Sequence, residues 1–126
     1  GSTTEQREKF VNEWYRCILK AEIERVLPKW EQISDLHPDG WQIKNMTTRW
    51  GTCNVKTRKV WFNLQLAKKT PECLEYVIVH ELMHLIEKSH NEKFATLMDK
   101  YLPNWREIRK SLNGQILDYL DSAKEC

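Results

Sequence analysis

The sequence predicts an α+β fold in which helices flank a small sheet, and three observations lead there. Apolar residues from Phe10 to Ala21 recur at helical spacing, the stretch after the turn residues His37-Pro38-Asp39-Gly40 alternates apolar with polar, and a nearly all-apolar helix opens at Thr70-Pro71-Glu72. With 126 residues, 40% of them hydrophobic and 30% charged, the chain has the make-up of one ordinary globular domain spanning 1–126.

Thr3 followed by Gln6 is a capping-box pattern, and Phe10, Trp14, Ile18 and Ala21 with Val11 and Tyr15 continue it as an amphipathic helix to about Leu27. Proline lacks a backbone donor and restricts its predecessor, so Pro28 to Ser34 reads as a second short helix or a kinked continuation, completing an N-terminal helical part over 3–35. Strands follow at Trp41 to Asn45, Trp50 to Cys53 and Lys59 to Leu64, the last two separated by the polar hairpin stretch Asn54 to Arg58. Residues 41–66 therefore read as a small antiparallel sheet.

Thr70 supplies an N-cap hydroxyl, Pro71 suits the first helical position, and Glu72 complements the positive end of the helix dipole. The helix they open is apolar on nearly every face, as in a helix running through a core. Ser89-His90-Asn91-Glu92 repeats the capping-box pattern and sets a new helix start near His90, with Phe94, Leu97, Met98 and Tyr101 inward. A further helix from Pro103 carries Trp105, Ile108 and Leu112 and should break at Asn113-Gly114, leaving a last amphipathic segment, Ile116 to Leu120, in a helical part over 70–123.

No apolar run approaches the roughly 20 residues that cross a bilayer, so no membrane span is expected. Gly1-Ser2 has the look of residues left by cloning, and the opening residues lack the layout of a signal peptide. Cys17, Cys53, Cys73 and Cys126 form no CxxC pair and read as reduced thiols, which points to the cytoplasm. The formal net charge is only +2, yet residues 41–70 hold Lys44, Arg49, Lys56, Arg58, Lys59, Lys68 and Lys69 with no acid. Such a segment guards a sheet edge or receives an anionic substrate, a nucleotide or nucleic acid.

Chemistry concentrates at His80-Glu81-Leu82-Met83-His84, an HExxH pattern in the middle of the apolar helix. Positions i and i+4 lie about 40° apart around a helix, so both imidazoles leave one face and can meet a metal at about 2 Å. Glu81 lies about 100° further round, beside the metal but free to take a proton from its water. Two histidines and an acid in an apolar helix are costly unless they do something of this kind. A catalytic zinc usually has three protein ligands and an open position. His90 is the third candidate, because a turn at Ser89 can fold it back; Glu87, Glu92 and Asp99 are weaker ones, and His37 reads as a surface residue. A second electrophile could come from Arg49, Asn63 or Tyr101.

From the first strand onward the chain resembles the YgjP-like metallopeptidase-related family of metal-dependent hydrolases, relatives of the WLM and SprT-like zincins. The resemblance rests on Met46-Thr47-Thr48-Arg49-Trp50-Gly51-Thr52-Cys53, Phe62-Asn63-Leu64, Tyr76 through His84, His90 with Phe94, and Leu102-Pro103-Asn104-Trp105-Arg106-Glu107-Ile108-Arg109. It implies a zincin-like fold, one zinc ion on His80, His84 and His90, and Glu81 as acid–base. It also implies an edge strand near Trp50 that pairs an extended peptide, and some family members are described as nucleotide pyrophosphatases. Full members usually have more chain before the first helix, and the cysteine-rich ribbon of SprT-like proteases is not seen here.

The leading expectation is thus a zinc metallopeptidase acting on peptide or protein. The alternatives are a zinc-dependent nucleotide phosphohydrolase or pyrophosphatase, and a non-catalytic zinc-containing module that binds DNA or protein. The oligomeric state is not addressed by the sequence.

Overall fold

The structure, a computed structural model, describes residues 4–115. Thr3 of the first capping pattern and the segment Ile116 to Leu120 lie outside them. The chain runs α1 (Thr4–Ser34), β1 (Gly40–Lys44), β2 (Gly51–Asn54), β3 (Lys59–Asn63), a short 3₁₀ helix (Leu64–Lys68), α2 (Pro71–His84), α3 (Glu92–Tyr101) and α4 (Trp105–Gln115). The α+β class follows the sequence, with α2 at the centre against α1, α3, α4 and β2.

Helix α1 continues through Pro28 instead of splitting there. Its second half buries Leu19, Ile23, Val26, Leu27 and Trp30, a stripe at helical spacing that packs on the 3₁₀ helix and α2. Trp30 Nε1 and Lys29 Nζ also donate to Glu75 Oε2 on α2, at 3.0 and 3.1 Å. These contacts hold the helix on both sides of the proline, at the loss of one backbone hydrogen bond. With 31 residues, α1 extends about 46 Å. Phe10, Val11, Trp14 and Ile18 of its first half are exposed, although their spacing promised an inward face.

The sheet has three strands in the order β1-β3-β2, with β2 antiparallel to β3 as the hairpin predicted. Strand β1 runs parallel to β3, so the sheet is mixed, where the sequence suggested antiparallel pairing throughout. The hairpin occupies one edge of β3, so β1 must take the other, and two chain reversals between β1 and β3 return it to the same direction. Residues 45–50 make the first reversal across the end of β3. Arg58, with φ of 59°, closes the hairpin, and Asn54 Oδ1 accepts from Lys56 N and Thr57 N at 3.0 and 3.2 Å.

One cap and two boundaries differ from expectation for identifiable reasons. The Thr70 hydroxyl donates to Cys73 Sγ at 3.4 Å and makes no backbone cap, although Pro71 stands in the first turn as expected. The next helix is capped by Asn91, whose Oδ1 accepts from Phe94 N at 3.0 Å, so it starts at Glu92 and leaves His90 outside it. Helix α4 runs through Asn113-Gly114 to Gln115; its buried Trp105, Ile108 and Leu112 outweigh the poor propensity of that pair. Among the described residues no helix is long and apolar enough to cross a membrane.

Candidate metal centre

His80, Glu81 and His84 are nearly fully buried, at 4%, 1% and 6% exposure. Helix periodicity places both imidazoles on one face of α2, and the Asn91 cap lets the residue just before α3 swing back to them. The Nε2 atoms of His80, His84 and His90 stand 3.1 Å apart in all three pairs. Phe94 holds the rings from behind, stacked on His84 at 4.6 Å between centroids and edge-on to His80 and His90 at 4.9 and 5.1 Å.

This donor set fits a metal ion. Three imidazole lone pairs directed at one point repel unless a cation sits between them. A tetrahedral ion with bonds of about 2.0 Å to nitrogen has ligands about 3.3 Å apart, so this triangle needs a breathing of only about 0.2 Å. His84 Nδ1 donates to the Glu87 carbonyl at 3.0 Å. A carbonyl can only accept, so the proton is fixed on Nδ1 and the Nε2 lone pair faces the triangle. Burial holds His80 well below the usual imidazole range, helped by His84, His90 and Arg109. Burial likewise lowers His84 to about 4, against the opposing pull of the Glu87 carbonyl. Both are therefore neutral at neutral pH, the form that ligates.

Two clefts flank the triangle and share His90. One, of about 430 Å³, is lined by Glu81, His84 and His90 below and by Arg49, Thr52 and Lys88 around them. The other, of about 310 Å³, is lined by His80, His90, Asn91, Phe94, Trp105 and Arg109. Strand β2 overhangs Glu81 so closely that a Cβ on Gly51 would lie 2.9 Å from Val77 Cγ1 and 3.0 Å from Glu81 Oε2. Cys53 faces the same cleft, and its thiol is pushed up to about 12 by burial and then by the Glu81 charge, so it stays protonated.

Of the four further contacts suggested by the sequence, only Arg49 lines a cleft beside the triangle. Asn63 is 1% exposed and both ends of its amide are engaged: Oδ1 accepts from Met46 N and Gln65 N, and Nδ2 donates to the Met46 and Arg49 carbonyls. It staples the loop that carries Arg49 rather than meeting substrate. Trp50 is buried in the core with Lys69 over its ring, and Tyr101 ends α3 outside both cleft linings. Among the weaker ligand candidates, Asp99 accepts from Trp105 Nε1 and Arg106 Nη1, which hold its carboxyl below the usual range. His37 is exposed and paired with Glu31.

Sequence reasoning assigned no role at the site to Gly51, Lys88, Phe94 or Arg109. Gly51 carried a usable signal, since glycine inside a strand marks a close approach of another group. The basic stretch 41–70 does not gather on one face: Arg58 bonds the His37 carbonyl, and Lys68 lies over Tyr15 on α1.

A family model described as YgjP-like, metallopeptidase domain, matches residues 1–115. The chain belongs to this YgjP-like family. It is accordingly a metal-dependent hydrolase domain of the metallopeptidase kind. Two solved structures share the fold of the YgjP-like chain. The metallopeptidase zymogen of Pyrococcus abyssi abylysin superposes with a TM-score of 0.67 at 18% identity, covering 74% of this chain and 93% of that one. The zymogen of Methanocaldococcus jannaschii jannalysin gives 0.64 at 23% identity, covering 75% and 97%. No curated protein matches by sequence.

Proposed function

We propose that the domain is a zinc-dependent metallopeptidase, with His80, His84 and His90 as ligands of one zinc ion and Glu81 as the group that moves the proton. The observation that carries the reading is the triangle of three Nε2 atoms with a buried carboxylate on the adjoining helical position. When bound there, zinc supplies Lewis acidity, polarising a peptide carbonyl and bringing its water towards a pKa of about 7. The Glu81 carboxylate takes a proton from the attacking water and returns it to the leaving amine. Gly51 of β2 stands close against that carboxylate, leaving no room there for a side chain. Phe94 and the Glu87 carbonyl hold the imidazoles, which lowers the cost of ordering them. Strand β2, at the edge of the sheet, offers backbone groups beside the cleft for an extended peptide to pair with.

A nucleotide is the second reading, favoured by Arg49 and Lys88 beside Glu81. The dispersal of Arg58 and Lys68 to other contacts weakens it.

The test is mass spectrometry of products after zinc-loaded protein has met an unfolded protein and, separately, nucleoside triphosphates. Peptide fragments that vanish in Glu81→Gln support the peptidase. Glu81-dependent release of phosphate or pyrophosphate without peptide fragments replaces it with the second reading. Zinc binding by wild type but not by a His80→Ala, His84→Ala pair is the parallel check on the ligands.

A further inference from the structure

We propose that the site selects peptides carrying acidic side chains on both sides of the scissile bond, with Arg49 and Lys88 receiving them in one cleft and Arg109 in the other. This substrate class rests on the peptidase reading above and deepens it.

The argument starts from where the two clefts lie. Because His90 lines both, the triangle sits at their junction, and a chain drawn across it must send residues into each. Among the described residues, the only acid in either lining is Glu81, which is 1% exposed and lies close against Gly51. Each cleft instead has cationic side chains in its wall. Arg49 and Lys88 come from the loop before β2 and the turn after α2, and Arg109 comes from α4. These are separate elements, so the positive lining is not the by-product of one basic segment. Arg49 belongs to the basic stretch, but Arg109 lies far outside it.

The arrangement around Arg49 is also built. Asn63 Nδ2 donates to the Arg49 carbonyl at 2.6 Å, fixing the backbone from which this side chain reaches the cleft. On the other side, Arg109 lines the same cleft as His80 and His90, so it stands beside the triangle. Trp105 and Phe94 line the same cleft and give it apolar walls, where a carboxylate–guanidinium pair is less screened than in open water. Arginine suits this role because its planar fork takes a carboxylate through two parallel hydrogen bonds.

The experiment measures binding and cleavage separately. Zinc-loaded Glu81→Gln is titrated with fluorescent peptides identical except that residues flanking the central bond are Glu, Gln or Lys. The Glu peptide is expected to bind about tenfold more tightly than the Gln peptide for each matched carboxylate, and to lose that advantage as salt rises. In the same background Arg109→Glu should reverse the preference on one side of the bond only, and Arg49→Glu on the other. Milder Arg109→Gln and Arg49→Gln versions stand in if a reversal unfolds the protein, as circular dichroism would reveal.

Equal binding of Glu and Gln peptides overturns the inference, as does a preference that survives Arg49→Gln, Lys88→Gln and Arg109→Gln together. An oligonucleotide that displaces the Glu peptide at lower concentration also overturns it, since the cations would then be serving phosphate. Hydrolysis by wild type of Gln and Glu peptides at the same rate leaves the peptidase standing and removes only the selectivity. Hydrolysis of no peptide removes the peptidase reading, while the binding series still decides what the clefts accept.

Discussion

Glu81 and the histidines of α2 reach the site from one continuous helix, whereas Thr52 and Arg49 reach it from a four-residue edge strand and the loop before it, with Gly51 close against Glu81. The helix needs only its own period to aim His80 and His84 together, and the surrounding core then fixes its position. On the strand side a buried side-chain amide, that of Asn63, ties residues 46 and 49 to the end of β3. The lesson is that the candidate donors stand on an element that aims them by its own period, and the facing cleft wall stands on one whose shape is set by contacts distant in sequence. His90 falls between these cases, since it lies in a loop but is placed by the Asn91 cap and by Phe94.

The largest effect should come from the helix side. Glu81→Gln is expected to lower peptide hydrolysis by about 10²- to 10⁴-fold while zinc content, read by elemental mass spectrometry, stays at the wild-type level. Unchanged turnover would mean that the proton moves through another group.

Phe94→Ala tests whether the triangle needs support from behind. Deleting a buried ring is expected to cost about 3–5 kcal/mol in urea unfolding of the metal-free protein. Zinc affinity should fall by about 10- to 100-fold, as for loss of a supporting contact at a metal site. A full loss of stability with unchanged zinc affinity would make Phe94 core filling and nothing more.

On the strand side, Asn63→Ala leaves the Met46 and Arg49 carbonyls without their side-chain donor and should destabilise by about 1–3 kcal/mol for each buried group left unsatisfied. The sharper expectation is a split: KM for peptide should rise more than kcat falls, because the variant loosens a substrate wall and leaves Glu81 in place. Equal changes in both would erase the distinction between the two sides.

Gly51→Ala reverses that logic, since it inserts a methyl from the strand into the helix. Its Cβ would meet Val77 Cγ1 at 2.9 Å, so overpacking of about 1–3 kcal/mol is expected, with kcat reduced and zinc affinity retained. Normal kcat in a protein of normal stability would show that the strand can retreat without disturbing Glu81.

The gentlest probe is pH. In the metal-free protein, His80 and His84 are held neutral below the ordinary imidazole value of 6.5, His84 to about 4. The unfolded chain therefore binds protons that the folded one refuses. Their contribution is complete above pH 6.5 and declines as the pH falls from there towards 4. Urea midpoints should drop between pH 7.5 and 5, above the range in which ordinary carboxylates titrate, and a flat profile would contradict their burial as neutral rings.

Local signals and distant ones divide the molecule in the same way. His80, His84 and Glu81 were legible as candidates because their geometry follows the turn of a helix whose apolar composition announced it. The hairpin was legible from its polar middle. Asn63 stayed one of several open contacts in the sequence, because a polar residue at the end of a strand looks alike there whether it faces a cleft or, as here, loop carbonyls. The break expected at Asn113-Gly114 did not occur, since packing of Trp105, Ile108 and Leu112 overrode a local preference.

By itself, then, the sequence determined the α+β class, the face of α2 that carries the donors, and the family through motifs spread from the sheet to the last helix. Only the tertiary structure decided that β1 runs parallel to β3, that His90 joins the other two imidazoles at 3.1 Å, and that Arg49 and Arg109 line two different clefts that share His90. The physical reason is range. Helical and turn geometry follows from neighbours a few residues away, whereas strand order and cleft walls are fixed by contacts between residues separated by tens of positions.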